Sequence, residues 1–243
     1  MNYDLSEEQR ILKDTARDFL LKESPSKFVR EMAKDEKGYT QEIWQKMVRL
    51  GWPGILIPEE CGGHGMSFLD LSLLLYEMGY ACLPGPFFST AILGVITLME
   101  AGNHAMNKGL LNEVARGERL LTFAWTENSG SNSDKTITAK SDLKNKEYVL
   151  SGTKLFVPNA HVADTILCAA RTEDPGMEVD GKISLFMVDK KSSGLDIHHL
   201  RTIADDKQYG VTFDKVRVPK DHLLGKLGQG WSVLKRVLQK AAV

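Results

Sequence analysis

Gly117-Glu-Arg-Leu-Leu-Thr-Phe-Ala-Trp-Thr-Glu-Asn-Ser-Gly-Ser-Asn-Ser-Asp134 is where the chain changes character. Upstream of it apolar residues recur at helix spacing, and downstream short β-branched and aromatic runs alternate with turns. Gly117 closes the last helical run. Leu120–Trp125 then reads as a strand, and the residues after it are dense in hydroxyls, amides and glycine. Such a turn can present backbone N–H groups and short donors to an anion such as a pyrophosphate, and the aromatics ahead of it can pack beside a flat ring. An ordinary hydrophilic hairpin loop has the same composition.

Working back towards the N-terminus, Ser6 and Gln9 form a capping-box pattern ahead of a stripe of Leu12, Ala16, Phe19 and Leu20. Pro25 suits the first turn of a second helix, and Thr40 caps a third that turns Trp44, Met47 and Val48 inward. The glycine- and proline-rich stretch 51–65 breaks periodicity, and Gly62-Gly-His-Gly65 reads as a compact turn. Ser67 caps an apolar helix over 68–82, followed by a break at Leu83-Pro-Gly-Pro86 and helical runs near 87–101 and 104–116. Working forward, strands are predicted at Thr136–Ala139, Glu147–Leu150, Thr165–Ala170, Ile183–Val188 and Val211–Val218. Turns fall at Asn145-Lys146, Ser151-Gly152 and Asp180-Gly181. Trp231–Val243 begins an amphipathic helix. The expected fold class is α+β, with an N-terminal all-helical domain (1–117) and an antiparallel β-barrel or sandwich domain (118–226). Residues 227–243 read as the beginning of more helix.

The composition excludes several classes. A hydrophobic fraction of 42% over 243 residues supports a core. With 31 Lys+Arg against 32 Asp+Glu the net charge is −1, so no global field favours nucleic acid or anionic lipid. Three scattered cysteines, without CxxC, exclude a disulfide framework and a cysteine zinc site. Cys61 and Cys168 read as small buried residues, and His198-His199 as a solvated turn or strand end, so no metal is expected. No apolar stretch approaches a membrane span and the start is no signal peptide, so the expected setting is cytoplasmic.

Five segments, in order, resemble the acyl-CoA dehydrogenase family. Leu5-Ser-Glu-Glu-Gln-Arg10 resembles its first-helix start, and Ile57-Pro-Glu-Glu-Cys-Gly-Gly-His-Gly65 its P-E-x-x-G-G-x-G loop. Ala124-Trp-Thr-Glu127, ending at Ser133-Asp134, is similar to its flavin segment T-E-P-x-A-G-S-D. Tyr148-Val-Leu-Ser-Gly-Thr-Lys154 with Asn159-Ala160 and Ala163-Asp164 resembles its Y-x-L-N-G-x-K run. Val211-Thr-Phe-Asp-Lys-Val-Arg-Val-Pro219 with Leu223-Leu-Gly225 resembles its closing strand.

The resemblance implies FAD held against the β-domain and an acyl-CoA thioester between flavin and helices. It also implies a desaturation in which a carboxylate takes the α-proton while hydride leaves the β-carbon for the flavin. Carried over, Phe123, Trp125 and Thr126 lie along the flavin ring, with Phe156 and Pro158 flanking it. Asn132 and Ser133 meet the pyrophosphate and CoA, and Pro86, Phe87 and Thr90 border the acyl pocket. Pro158 stands where the family carries a threonine, and Asn132 where it carries a glycine. Glu127 and Asp134 occupy structural positions. The resemblance also implies that residues 227–243 are the first helix of a C-terminal bundle that the chain does not include and to which the family's catalytic base belongs, so no residue of this chain is assigned that role. The implied electron acceptor is an electron-transfer flavoprotein, and the implied assembly a homo-oligomer. A truncated relative that binds acyl-CoA or a partner without catalysis, and a flavin monooxygenase or oxidase on the same fold, are the alternatives.

Overall fold

A computed structural model describes residues 4–102, 104–129, 133–144, 147–173 and 182–242. The turns at Asn145-Lys146 and Asp180-Gly181 and residue Asn132 lie outside the described residues.

The helical layer is built from local signals. In α1 (Glu7–Glu23) the Ser6 hydroxyl accepts from the Gln9 N–H and the Gln9 side chain accepts from the Ser6 N–H, the reciprocal cap expected from the sequence. Helix α2 spans Ser26–Lys34 behind Pro25, and α3 (Gln41–Arg49) is capped by Thr40 and buries Trp44 and Met47. Helix α4 (Phe68–Tyr80) carries a second capping box, Ser67 with Asp70. A π-helical segment, Phe88–Gly94, runs into α5 (Val95–Glu100), and α6 spans His104–Ala115.

The strands are β1 (Leu121–Ala124), β2 (Lys140–Lys144), β3 (Glu147–Pro158), β4 (Thr165–Glu173), β5 (Ile183–Asp189), β6 (Leu195–Leu200), β7 (Gln208–Pro219) and β8 (Leu223–Leu224). Their order is β6-β7-β3-β2-β4-β5-β8, with β1 beside β4. The sheet folds over as a sandwich rather than closing as a barrel. Most pairings are antiparallel as expected, but β1–β4 and β2–β4 are parallel.

Strand β4 organises the molecule. Leu167 and Ala169 point into a core shared with the helices, while Ile166, Cys168 and Ala170 point into a second core against β3 and β7. The closing helix α7 (Gly230–Ala241) adds Val233, Leu234 and Val237 to the first core. No described helix is long and apolar enough to cross a membrane.

Candidate functional site

Beyond β1 the chain continues as Trp125-Thr126-Glu127, alongside the second half of β3. The Leu155 N–H donates to the Thr126 carbonyl at 2.9 Å, which joins the two segments. Among the described residues no protein group takes the Thr126 N–H or hydroxyl, so two donors remain available at a partly exposed position. On β3 the register with β7 shifts between Lys154 and Val157, and Phe156 adopts a left-handed backbone (φ 53°). A β-branched or aromatic residue there is strained, and such strain clusters at functional sites. The result is that Phe156 stands 54% exposed beside the Trp125 segment while Val157 is buried.

Beneath this surface lies an ion pair. Lys154 Nζ lies 2.6 Å from Glu127 Oε1, and the two side chains are 0% and 7% exposed. Lys154 also reaches the Trp125 carbonyl at 3.5 Å. The Glu127 carboxylate further accepts from the Thr138 N–H (2.8 Å), the Thr138 hydroxyl (2.5 Å) and the Ala139 N–H (3.0 Å). Burial pushes the Glu127 carboxyl upward, but Lys154, Thr138 and Ala139 outweigh it and hold the group below the usual carboxylate range. With every bond directed inward, Glu127 is not free to act as a base.

Other expected residues fall in different places. The Phe123 ring is fully buried on the helical side of β1, with its centroid 5.5 Å from that of Trp125. Leu121 and Phe123, two residues apart, point to the same side of the strand, into the core shared with the helices. Pro158 is partly buried, and its carbonyl accepts from the Thr122 hydroxyl at 2.6 Å. The Ser133 hydroxyl is engaged in its own short turn: it accepts from the Lys135 N–H and donates to Asp134. Arg171 secures that turn by donating to the carbonyls of Asp134 and Ile137.

Pro86, Phe87 and Thr90, the residues expected at an acyl pocket, are all buried. Thr90 is fully enclosed, and its hydroxyl bonds both the N–H and the carbonyl of Leu121, which pins the π-helical segment to β1. Phe87 does border a cavity of about 270 Å³, shared with Leu75, Met78, Leu83 and Phe88.

Sequence reasoning gave no role to Lys154 or Arg171. The first had a signal, since a lysine inside an alternating strand pattern on the buried register demands a partner. Cys168 is pushed up to about 11 by burial, which removes it as a nucleophile. No group of three potential metal ligands exists among the described residues.

Known proteins place this geometry in a family. Residues 6–118 match the model of the acyl-CoA dehydrogenase N-terminal domain, and residues 122–216 that of the acyl-CoA dehydrogenase middle domain. The chain is 31% identical to acryloyl-CoA reductase (NADH) of Anaerotignum propionicum, over all of this chain and 62% of that protein. It is likewise 31% identical to the probable acyl-CoA dehydrogenase YngJ of Bacillus subtilis, over 95% of this chain and 61% of the relative. An acyl-CoA dehydrogenase from Bacillus anthracis, solved in complex with FAD, superposes with a TM-score of 0.85 at 23% identity, over 97% of this chain and 41% of that one. The chain thus spans about six tenths of the length of the two sequence relatives. Two consecutive domain models, in the expected order over a matching fold, assign this chain to the acyl-CoA dehydrogenase family.

Proposed function

We propose that this chain supplies the flavin wall and part of the acyl pocket of an FAD-dependent acyl-CoA dehydrogenase that desaturates a CoA thioester between its α- and β-carbons. The observation that carries this reading is the pairing of an outward-turned aromatic, Phe156, with the unpartnered donors of Thr126 on an adjacent segment. That surface fits an isoalloxazine ring, which presents a flat face and a hydrogen-bonding edge. When bound, FAD supplies the acceptor for the hydride that leaves the β-carbon.

The chain's own residues have definite tasks in this reading. Phe156 and Trp125 cover the ring face and exclude water, while the Thr126 N–H and hydroxyl orient the ring edge. Pro158 gives apolar contact without a backbone donor. Phe87 and Phe88 shape the acyl cavity, and Thr90 holds that segment against β1. No described carboxylate at this surface is offered as the α-proton base. The proposed electron acceptor is an electron-transfer flavoprotein and the proposed assembly a homo-oligomer, both carried over from the family.

Titration of the purified chain with FAD, followed by quenching of flavin fluorescence, tests the reading. Uptake is expected, and Phe156→Ala is expected to weaken it about three- to tenfold, the range for one aromatic contact. Absence of uptake, or uptake indifferent to Phe156 and Thr126, would sink the proposal. In the protein as it occurs in the cell, anaerobic bleaching of the flavin by an acyl-CoA marks dehydrogenation, and uptake without bleaching marks a binding module.

A further inference from the structure

We propose that Lys154 and Glu127 are a positioning pair that sets the shape of this wall, an inference that rests on the flavin reading. The pair joins three segments that share no continuous ladder: Trp125–Glu127, the start of β3's bulge, and Thr138–Ala139. Residues 125–127 lie outside any strand, and their backbone bond to β3 runs through Thr126 and Leu155. The four interactions that converge on Glu127 therefore fix the register of this segment against its surroundings.

The bulge supplies the second half of the argument. In a regular strand, residues two apart share a face, so Lys154 and Phe156 would point the same way. Here Lys154 points inward, enclosed, and Phe156 outward, because the register shift and the left-handed backbone intervene. Anchoring Lys154 inside by its bond to Glu127 holds the bulge in place. Loss of the anchor lets the strand regularise and carries Phe156 off the surface. A desolvated ion pair gains little over apolar residues of the same shape, so its retention inside a sheet is better accounted for by geometry than by stability.

Two variants of the full chain test this, the doubly neutral Glu127→Gln/Lys154→Met and the conservative Lys154→Arg. Amide hydrogen exchange is read at Leu155, whose own acceptor is untouched by either change, with the β4–β5 amides as the measure of folding. FAD titration is read in parallel. The double variant is expected to keep β4–β5 protection while Leu155 exchanges at least tenfold faster and FAD binds at least tenfold more weakly. Lys154→Arg is expected to recover part of both. Unchanged Leu155 protection in the double variant overturns the inference. So does loss of β4–β5 protection in equal proportion in both variants, which would mark the pair as plain core. Should the wild-type chain take up no FAD, the flavin reading fails by itself and the exchange measurement still decides the positioning role.

Discussion

Three thiols sit in three environments, and their chemistry follows from that. Cys61 and Cys168 are 2% and 1% exposed, so both are shielded from reagents, and burial pushes Cys168 up to about 11. Cys82 is exposed just beyond α4, in a left-handed backbone (φ 47°). One equivalent of a thiol reagent is expected to react rapidly with the folded chain, and Cys82→Ser should abolish that phase. Two rapid equivalents would contradict the burial of the others. At this scale the sequence was readable where a residue's role is set by its neighbours in the chain: the caps Ser6, Thr40 and Ser67 were all legible. It was unreadable where the partner is distant. Phe123 and Trp125 share a face by alternation, yet Phe123 is fully buried and Trp125 only partly, because β1 ends at Ala124, a limit set by its pairing with β4 that alternation does not encode.

Among the elements, the junction between the π-helical segment and β1 leaves no spare room. A Cβ at Gly94 would lie 2.5 Å from the Leu121 Cβ. Gly94→Ala is therefore expected to lower stability by about 1–3 kcal/mol through overpacking, measured as a drop in the urea midpoint. A variant as stable as the parent would mean that the segment can slide on the strand. Two of the strands that escaped sequence reading did so for related reasons. β6, Leu195-Asp-Ile-His-His-Leu200, is an edge strand bonded to β7 alone, with a largely exposed and polar run. β2, Lys140–Lys144, is mostly charged and owes its conformation to β3 on one side and β4 on the other. The parallel placement of β1 against β4 depends on residues more than forty positions apart, which no local pattern encodes.

In the molecule as a whole, α7 ties the two layers together. Glu100 at the end of α5 accepts from Arg236 at 2.6 Å and from Lys240 at 2.5 Å. Lys240 and Arg236 hold its carboxyl below the usual range. A depressed folded-state pKa contributes stability above the ordinary glutamate pKa, lost as pH falls through the folded value. Glu100→Gln should thus be less stable than the parent at pH 7, and the gap should close below about pH 4. A gap that persists in acid would assign the loss to packing instead. Because one core spans both helices and sheet, far-UV dichroism and tryptophan emission are expected to report coincident unfolding transitions; separate midpoints would mean that the layers melt independently. The position of β4 between two filled cores has a consequence for how such a protein can vary. Its inward residues on either side are small, Cys168, Ala169 and Ala170 among them, and each displaces the same backbone when enlarged. Substitutions on the helical side and on the sheet side are then felt through one shared strand. Their effects should combine non-additively, so that drift in one layer restricts what the other tolerates.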